Sequence, residues 1–273
     1  MTNPLTMKLE QFARLDQSDR ARLDSLLTHK TRTFSAGQTI IPEGQRVRNV
    51  HLVLRGLAAR QKTLRNGERQ IMAFLIPGDL CDVEIFVLQA MDHDIVALSD
   101  TTCLLIPEDV VEPLLTDGSR LTRALWWGTM VDSAILREWI VDHGSRDAHE
   151  QVAHIIFELL VRYRVVGETT DNSYPFPITQ EQLATATGMS AVHANRTLQT
   201  LRSEGLIELK NKVMTVLDPE RLKKVARFNP NYLHLIRTEA RDREVSTRAG
   251  DLVPPERHAV LDRLVEALKP GST

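Results

Sequence analysis

His193, Asn195, Arg196, Gln199 and Arg202 fall where a helical period turns side chains outward. An arginine, an asparagine and a glutamine in such a row can hydrogen-bond base edges or phosphates. That is the chemistry of a helix laid in a DNA major groove. Such a row works only if its neighbours hold it, and residues 178–212 supply the parts. Thr179 can cap a first helix with Leu183, Ala184 and Ala186 apolar. Gly188 fits a turn in which positive φ is cheap only for glycine. Ser190 stands where a second cap is needed, before a helix from Ala191 to about Ser203. Val192, Ala194, Leu198, Leu201 and Thr197 are expected on its core side. Gly205 then turns the chain into Leu206-Ile207-Glu208-Leu209, a strand that suggests a wing. The same residues also suit an ordinary helical hairpin with a solvated polar face, and the wing decides for DNA binding.

Composition sets the bounds. The chain has 273 residues, long for one domain and comfortable for two. It is 42% hydrophobic and 26% charged, as a core-forming protein is, and its net charge of −2 gives no overall basic field. Over residues 188–228, however, eight basic residues face four acidic ones, an excess suited to phosphate contacts. Two cysteines, Cys81 and Cys103, cannot build a disulfide framework or a four-thiolate cluster from one chain, so an iron–sulfur cluster is not expected. No His/Cys spacing suggests a metal site. No nucleophile–base–orienter set or phosphate loop suggests an enzyme. With no signal sequence and no apolar run near ~20 residues, a cytoplasmic protein with no membrane partner is expected.

Along the chain, two short helices are expected over residues 9–28, interrupted near Asp16. Short strands and turns follow at 31–34, 39–41, 50–54, 57–64, 69–76 and 95–106. Asn66-Gly67 reads as a tight primed hairpin turn. A turn and short helix are expected over 78–91 and a helix over 108–115. A long, unusually apolar helix should span 119–143. Its row Leu121, Leu125, Gly128, Asp132, Ile135 and Trp139 has coiled-coil spacing, with Gly128 permitting close approach. This row is the expected dimerisation seam: another face of the helix would bury itself on the β-roll, and a two-fold homodimer would cover the seam. His143-Gly144-Ser145 should end the helix as a hinge, before a further helix at 147–165. Past the wing, a short helix at 219–225 precedes a charged tail and a terminal helix at 253–268. The fold class is α+β. A double-stranded, jelly-roll-like β-roll spans 1–118, a dimerisation helix 119–143, a winged helix-turn-helix 144–225, and the tail 226–273.

This layout resembles the CRP/FNR family of transcription regulators over roughly residues 10–225. The resemblance is carried by Gly37, Glu43-Gly44, Val53-Leu54-Arg55-Gly56, Asn66-Gly67-Glu68, Pro77-Gly78-Asp79 and the stretch 179–207. It implies a homodimer whose β-roll senses an effector and sets two reading helices on a pseudo-palindromic site in double-stranded DNA, with RNA polymerase a possible further partner. By family position, Ser190 caps the reading helix and Arg196 matches its arginine, suited to a bidentate guanine contact. Asn195 is placed for adenine and His193 for a base edge or phosphate, with Gln199 farther along the same helix. Thr179, Gln180 and Lys212 take phosphate-contact positions. Ala191 and Val192 replace a polar pair, so the target site should differ from the family consensus.

The effector pocket departs further. In members similar to the cyclic-AMP receptor, the turn after the Gly-Asp corner grips ribose and phosphate with an arginine and a hydroxyl. Here Gly78 and Asp79 are kept, but residues 91–97 lack the guanidinium and carry Asp92 and Asp94. One like-charge contact at ~4 Å costs on the order of 4 kcal/mol at an effective dielectric near 20. Cyclic AMP is therefore disfavoured and the small-molecule effector is left unnamed. Cys81, Glu84 and His93 are expected near the pocket mouth. No cofactor is expected, although haem or another redox group stays open. The alternative reading is a small-ligand or cyclic-nucleotide receptor whose helix-turn-helix serves protein contacts.

Overall fold

The computed structural model describes residues 3–83, 88 and 90–235. The expected tail and terminal helix at 253–268 lie outside them, as does most of the short helix expected within 78–91. Seven strands build the roll: β1 (Thr31–Phe34), β2 (Thr39–Ile41), β3 (Asn49–Arg55), β4 (Ala58–Thr63), β5 (Arg69–Leu75), β6 (Asp94–Ala97) and β7 (Thr101–Pro107). They pair antiparallel into two sheets, ordered β1-β7-β3 and β2-β6-β4-β5. Phe34, Ile41, Val53, Leu75, Ile95 and Cys103, drawn from both sheets, share one core. The strand expected over 95–106 is two, one in each sheet. The chain crosses between them at Leu98–Asp100, beside Gly56, where a Cβ would lie 2.3 Å from the Asp100 carbonyl.

The β4–β5 hairpin forms, but not by a primed turn. Only Gly67 of the Asn66-Gly67 pair has positive φ (85°), and the bonds Gly67 N to Leu64 O and Leu64 N to Glu68 O close a longer loop. At the N-terminus, α1 (Pro4–Leu9) ends where the expected helical stretch begins. It is followed by α2 (Gln17–Leu26), capped by Asp16 with Asp19 reciprocating.

After α3 (Glu108–Thr116), α4 spans Arg120–Ser145. Its coiled-coil row points inward, a correction to the expected dimer seam. Leu121, Leu125, Gly128, Ile135 and Trp139 are buried within one chain, and Asp132 bonds Lys8 of α1 at 3.3 Å. The outward face instead carries Trp126, Trp127, Met130 and Ile140, the last two 63% and 71% exposed. Heptad spacing shows that an apolar row will be covered, not by which surface; on a helix with two such rows, the chain's own roll takes one.

The helix also continues through His143-Gly144-Ser145 and breaks at Arg146. That residue is held rather than loose: its guanidinium bonds Glu138 at 2.7 Å and Asp142 at 2.5 Å. Helix α5 (Ala148–Val165), capped by Asp147, is buried on most of its surface. The helix-turn-helix is α6 (Gln180–Thr187) and α7 (Ala191–Ser203), and α7 packs on α5. Strands β8 (Ser173–Pro175), β10 (Val213–Val216) and β9 (Ile207–Lys210) make the wing sheet, with α8 (Pro219–Val225) behind α5. Among the described residues no helix is long and apolar enough to cross a membrane.

Candidate nucleic-acid interface

Local chemistry builds this site as its sequence suggests. Thr179 Oγ1 accepts the Gln182 amide at 3.1 Å, and Gln182 Oε1 accepts the Thr179 amide at 2.9 Å, a reciprocal cap. Gly188 closes α6 at φ 70°. Ser190 Oγ then accepts the His193 amide at 3.2 Å and starts α7. Ala194, Thr197, Leu198 and Leu201 are buried, fixing the helix's rotation. Arg196 and Gln199 are thereby exposed, as are Thr179, Gln180 and Ser190. His193 and Asn195 are half-buried. Arg196 donates to His193 Nδ1 at 3.0 Å. This bond uses one of five guanidinium N–H groups and fixes where the others point. Asn195 Oδ1 is buried without a hydrogen-bond partner.

Val192 corrects the sequence reading. It was expected on the core side but is 81% exposed. At 100° per residue, a position two before Ala194 is rotated about 160° from it, onto the opposite face.

The primed turn absent at Asn66-Gly67 occurs in the wing. Asn211 and Lys212 both have positive φ (51° and 60°) between the paired Lys210 and Val213. A left-handed lysine costs on the order of 1 kcal/mol, and Lys212 is exposed at the wing tip.

Behind this surface lies a buried ionic cluster that sequence reasoning missed. Asp79, from the Pro-Gly-Asp corner, accepts from Lys8 Nζ at 2.9 Å, from Arg162 Nη2 of α5 at 2.7 Å and from the Ile76 amide at 2.8 Å. Burial alone would raise its carboxyl; the Lys8 and Arg162 charges outweigh this and hold it below the usual carboxylate range. Arg162 also bonds Glu158 at 3.1 Å and the Phe74 carbonyl at 2.9 Å. Glu158 accepts in turn from Tyr232 at 3.0 Å and Trp139 at 3.3 Å. The roll, α4, α5 and the 3-10 turn Pro230–Leu233 are thus joined by one chain of charged bonds.

The expected effector residues separate. A Cβ on Gly78 would lie 2.8 Å from the Pro4 carbonyl, so that glycine seats α1, and Asp79 belongs to the cluster. Cys81 is buried in the roll's core, where the Cys103 side chain and burial push its thiol well up. It is therefore neither at a pocket mouth nor a thiolate. Glu84 lies outside the described residues. Of the four described, His93 alone lines the cavity of about 220 Å³ between the roll and α4, with Arg60, Met72, Met91, Asp132 and Ser133 among its neighbours there. Its Nδ1 meets Asp92 Oδ1 at 2.5 Å, and its Nε2 is buried without a hydrogen bond. A guanidinium is present after all: Arg60 reaches in from β4. It donates to the Leu80 and Cys81 carbonyls, both at 3.3 Å, and lies 3.9 Å from Asp132. Its signal was an arginine sharing the inward face of β4 with Ala58. Among the described residues no group of three or more His, Cys, Asp or Glu is arranged to hold a metal.

Comparison with known proteins agrees with this geometry. Residues 31–117 match the family described as cyclic nucleotide-binding domain, and residues 150–225 that described as Crp-like helix-turn-helix domain. The chain is 25% identical over 203 residues to the transcriptional activator protein FnrL of Cereibacter sphaeroides, covering 73% of this chain and 80% of FnrL. It is 24% identical over 193 residues to the nitrogen fixation regulation protein FixK of Bradyrhizobium diazoefficiens, covering 71% and 80%. The structure of FixK2 from Bradyrhizobium japonicum shares the fold, with a TM-score of 0.64 at 21% identity over 72% of this chain and 96% of that one. A nucleotide-binding-type roll followed by a Crp-like helix-turn-helix, matched over more than 70% of the chain by transcription regulators, makes this chain a member of the CRP/FNR family of DNA-binding transcription regulators.

Proposed function

We propose that the protein regulates transcription as a homodimer on a pseudo-palindromic DNA site, each protomer setting α7 in one of two successive major grooves. The observation that carries this is the outward face of α4. Trp126, Met130 and Ile140 are large, apolar and exposed at coiled-coil spacing. Pairing α4 with its copy covers that row and turns one reading helix into two. Arg196 binds guanine, Asn195 adenine, and His193 holds Arg196 in place. Ser190, Gln199, Thr179, Gln180 and Lys212 hold the backbone, and a cytoplasmic location and contact with RNA polymerase fit such a complex.

The cavity beside α4 takes the effector. Arg60 is already tied to two carbonyls and faces Asp132, while Asp92 adds a second carboxylate. At about 220 Å³, it falls below the ~300–1,000 Å³ usual for small-molecule pockets. These features favour an effector smaller than cyclic AMP and without its phosphate. Sedimentation of the protein with a selected site tests the assembly: two protomers per duplex are expected, on half-sites about 10 bp or a multiple apart. Met130→Glu combined with Ile140→Glu should give monomers whose affinity for the full site falls by about 10²–10⁴-fold. A monomer bound at full affinity would contradict the proposal, and a protein that binds no DNA would leave the helix-turn-helix to protein contacts.

A further inference from the structure

Val192 is the most exposed large apolar side chain among the described residues, at 81%. It sits at the second position of α7, one turn ahead of Arg196 and two ahead of Gln199, on the face opposite Ala194, Leu198 and Leu201. Ala191 beside it is also exposed, and the first turn of α7 carries no acidic residue. Exposure of one valine means little by itself. This one stands in the same outward row as a guanidinium and an amide, at the end of the helix that meets base edges when such a helix enters the major groove.

A valine there has no donor or acceptor, so it cannot pair with a base edge. The apolar group that the major groove offers is the 5-methyl of thymine. Against cytosine, the isopropyl group would face an amino donor that it cannot accept, and the methyl contact would be missing. We infer that Val192 is a specificity-determining residue, selecting thymine through its 5-methyl next to the base pair held by Arg196 in each half-site. The inference rests on the proposal that α7 reads DNA and names what one part of it reads.

Deoxyuridine differs from thymidine only by that methyl, which allows a direct test. A site is selected with the wild-type protein, and each thymine of the half-site is replaced in turn by deoxyuridine. Binding is measured by fluorescence anisotropy at fixed salt. One position is expected to lose about 4-fold per half-site, the worth of one buried methyl-sized group. Val192→Ala, whose exposed position accepts alanine readily, should bind the two duplexes within about 1.5-fold of each other, the 4-fold effect having gone. Placing 5-methylcytosine where cytosine is disfavoured should recover part of the loss for the wild type only. Indifference of the wild type to deoxyuridine at every thymine overturns the inference, as does a deoxyuridine effect unchanged in Val192→Ala. Arg196→Ala separates the levels. If it loses discrimination while deoxyuridine does nothing, only the role of Val192 fails; if wild type and Arg196→Ala bind all sequences alike, the reading of α7 fails with it.

Discussion

Replacing Asp79 with asparagine removes one negative charge from the cluster that joins α1, the roll and α5. The side chain is 2% exposed and accepts three bonds, two of them from cations, at 2.9 Å and 2.7 Å. An asparagine oxygen in the Oδ2 place can still take the Ile76 amide and Arg162, but its amino group then faces Lys8, donor against donor. The Lys8 bond is lost and the Arg162 bond loses its anionic partner; at about 1.5–3 kcal/mol for each charge-assisted bond, the gross loss is at most about 3–6 kcal/mol. Lys8 keeps Asp132 at 3.3 Å and Arg162 keeps Glu158 at 3.1 Å, which trims it. A net loss of about 3–5 kcal/mol follows, the usual result of breaking a buried pair. Urea unfolding followed by tryptophan fluorescence measures it, since Trp139 packs edge-on against Phe74 at 5.5 Å. The carboxyl's folded-state pKa is depressed, so its stabilisation is complete above the unfolded value of about 3.9 and is lost as pH falls through the folded value. The gap between wild type and variant should hold from neutral pH down to about 5 and close in stronger acid. A loss below about 1 kcal/mol at pH 7 would refute the reasoning.

Gly78→Ala should cost about 1–3 kcal/mol in thermal unfolding, because φ is +91° and the new Cβ would lie 2.8 Å from the Pro4 carbonyl. Tyr232→Phe should lose about 1.5–3 kcal/mol in chemical denaturation by removing the donor to Glu158. Burial holds that phenol well above its ordinary pKa, so the loss should not change between pH 6 and about 9. Lys212→Ala should weaken binding to all DNA sequences alike and reduce the slope of log affinity against log salt by about 1.

The helix-turn-helix and wing were legible because their signals are local. A hydroxyl at each helix start, a glycine at the turn and alternation in the strands act within a few residues of where they are written. Val192 was misplaced although the needed rule was at hand, since counting from Ala194 turns it outward. The dimer row was misassigned because α4 has two apolar faces, and spacing cannot say which one the roll covers. The Lys8–Asp79–Arg162 cluster was invisible because its partners are 71 and 83 residues apart. Charges at such separations show no pattern along the chain. Arg60 was overlooked for a related reason: attention to 91–97, where the family carries its arginine, hid a guanidinium arriving from another strand. The wing's primed turn uses Asn211-Lys212 rather than a glycine pair, so the usual signal pointed to the wrong hairpin.

The central claim is that α7 reads DNA through Arg196, and selection of bound sequences from a random duplex pool by the purified wild type and by Arg196→Ala tests it most directly. The wild type should enrich an inverted repeat with one invariant guanine per half-site. Arg196→Ala should bind that repeat about 1–3 kcal/mol more weakly and lose the preference for that guanine alone. Enrichment of the same site at the same affinity by both proteins, or of no site by the wild type, would contradict the claim.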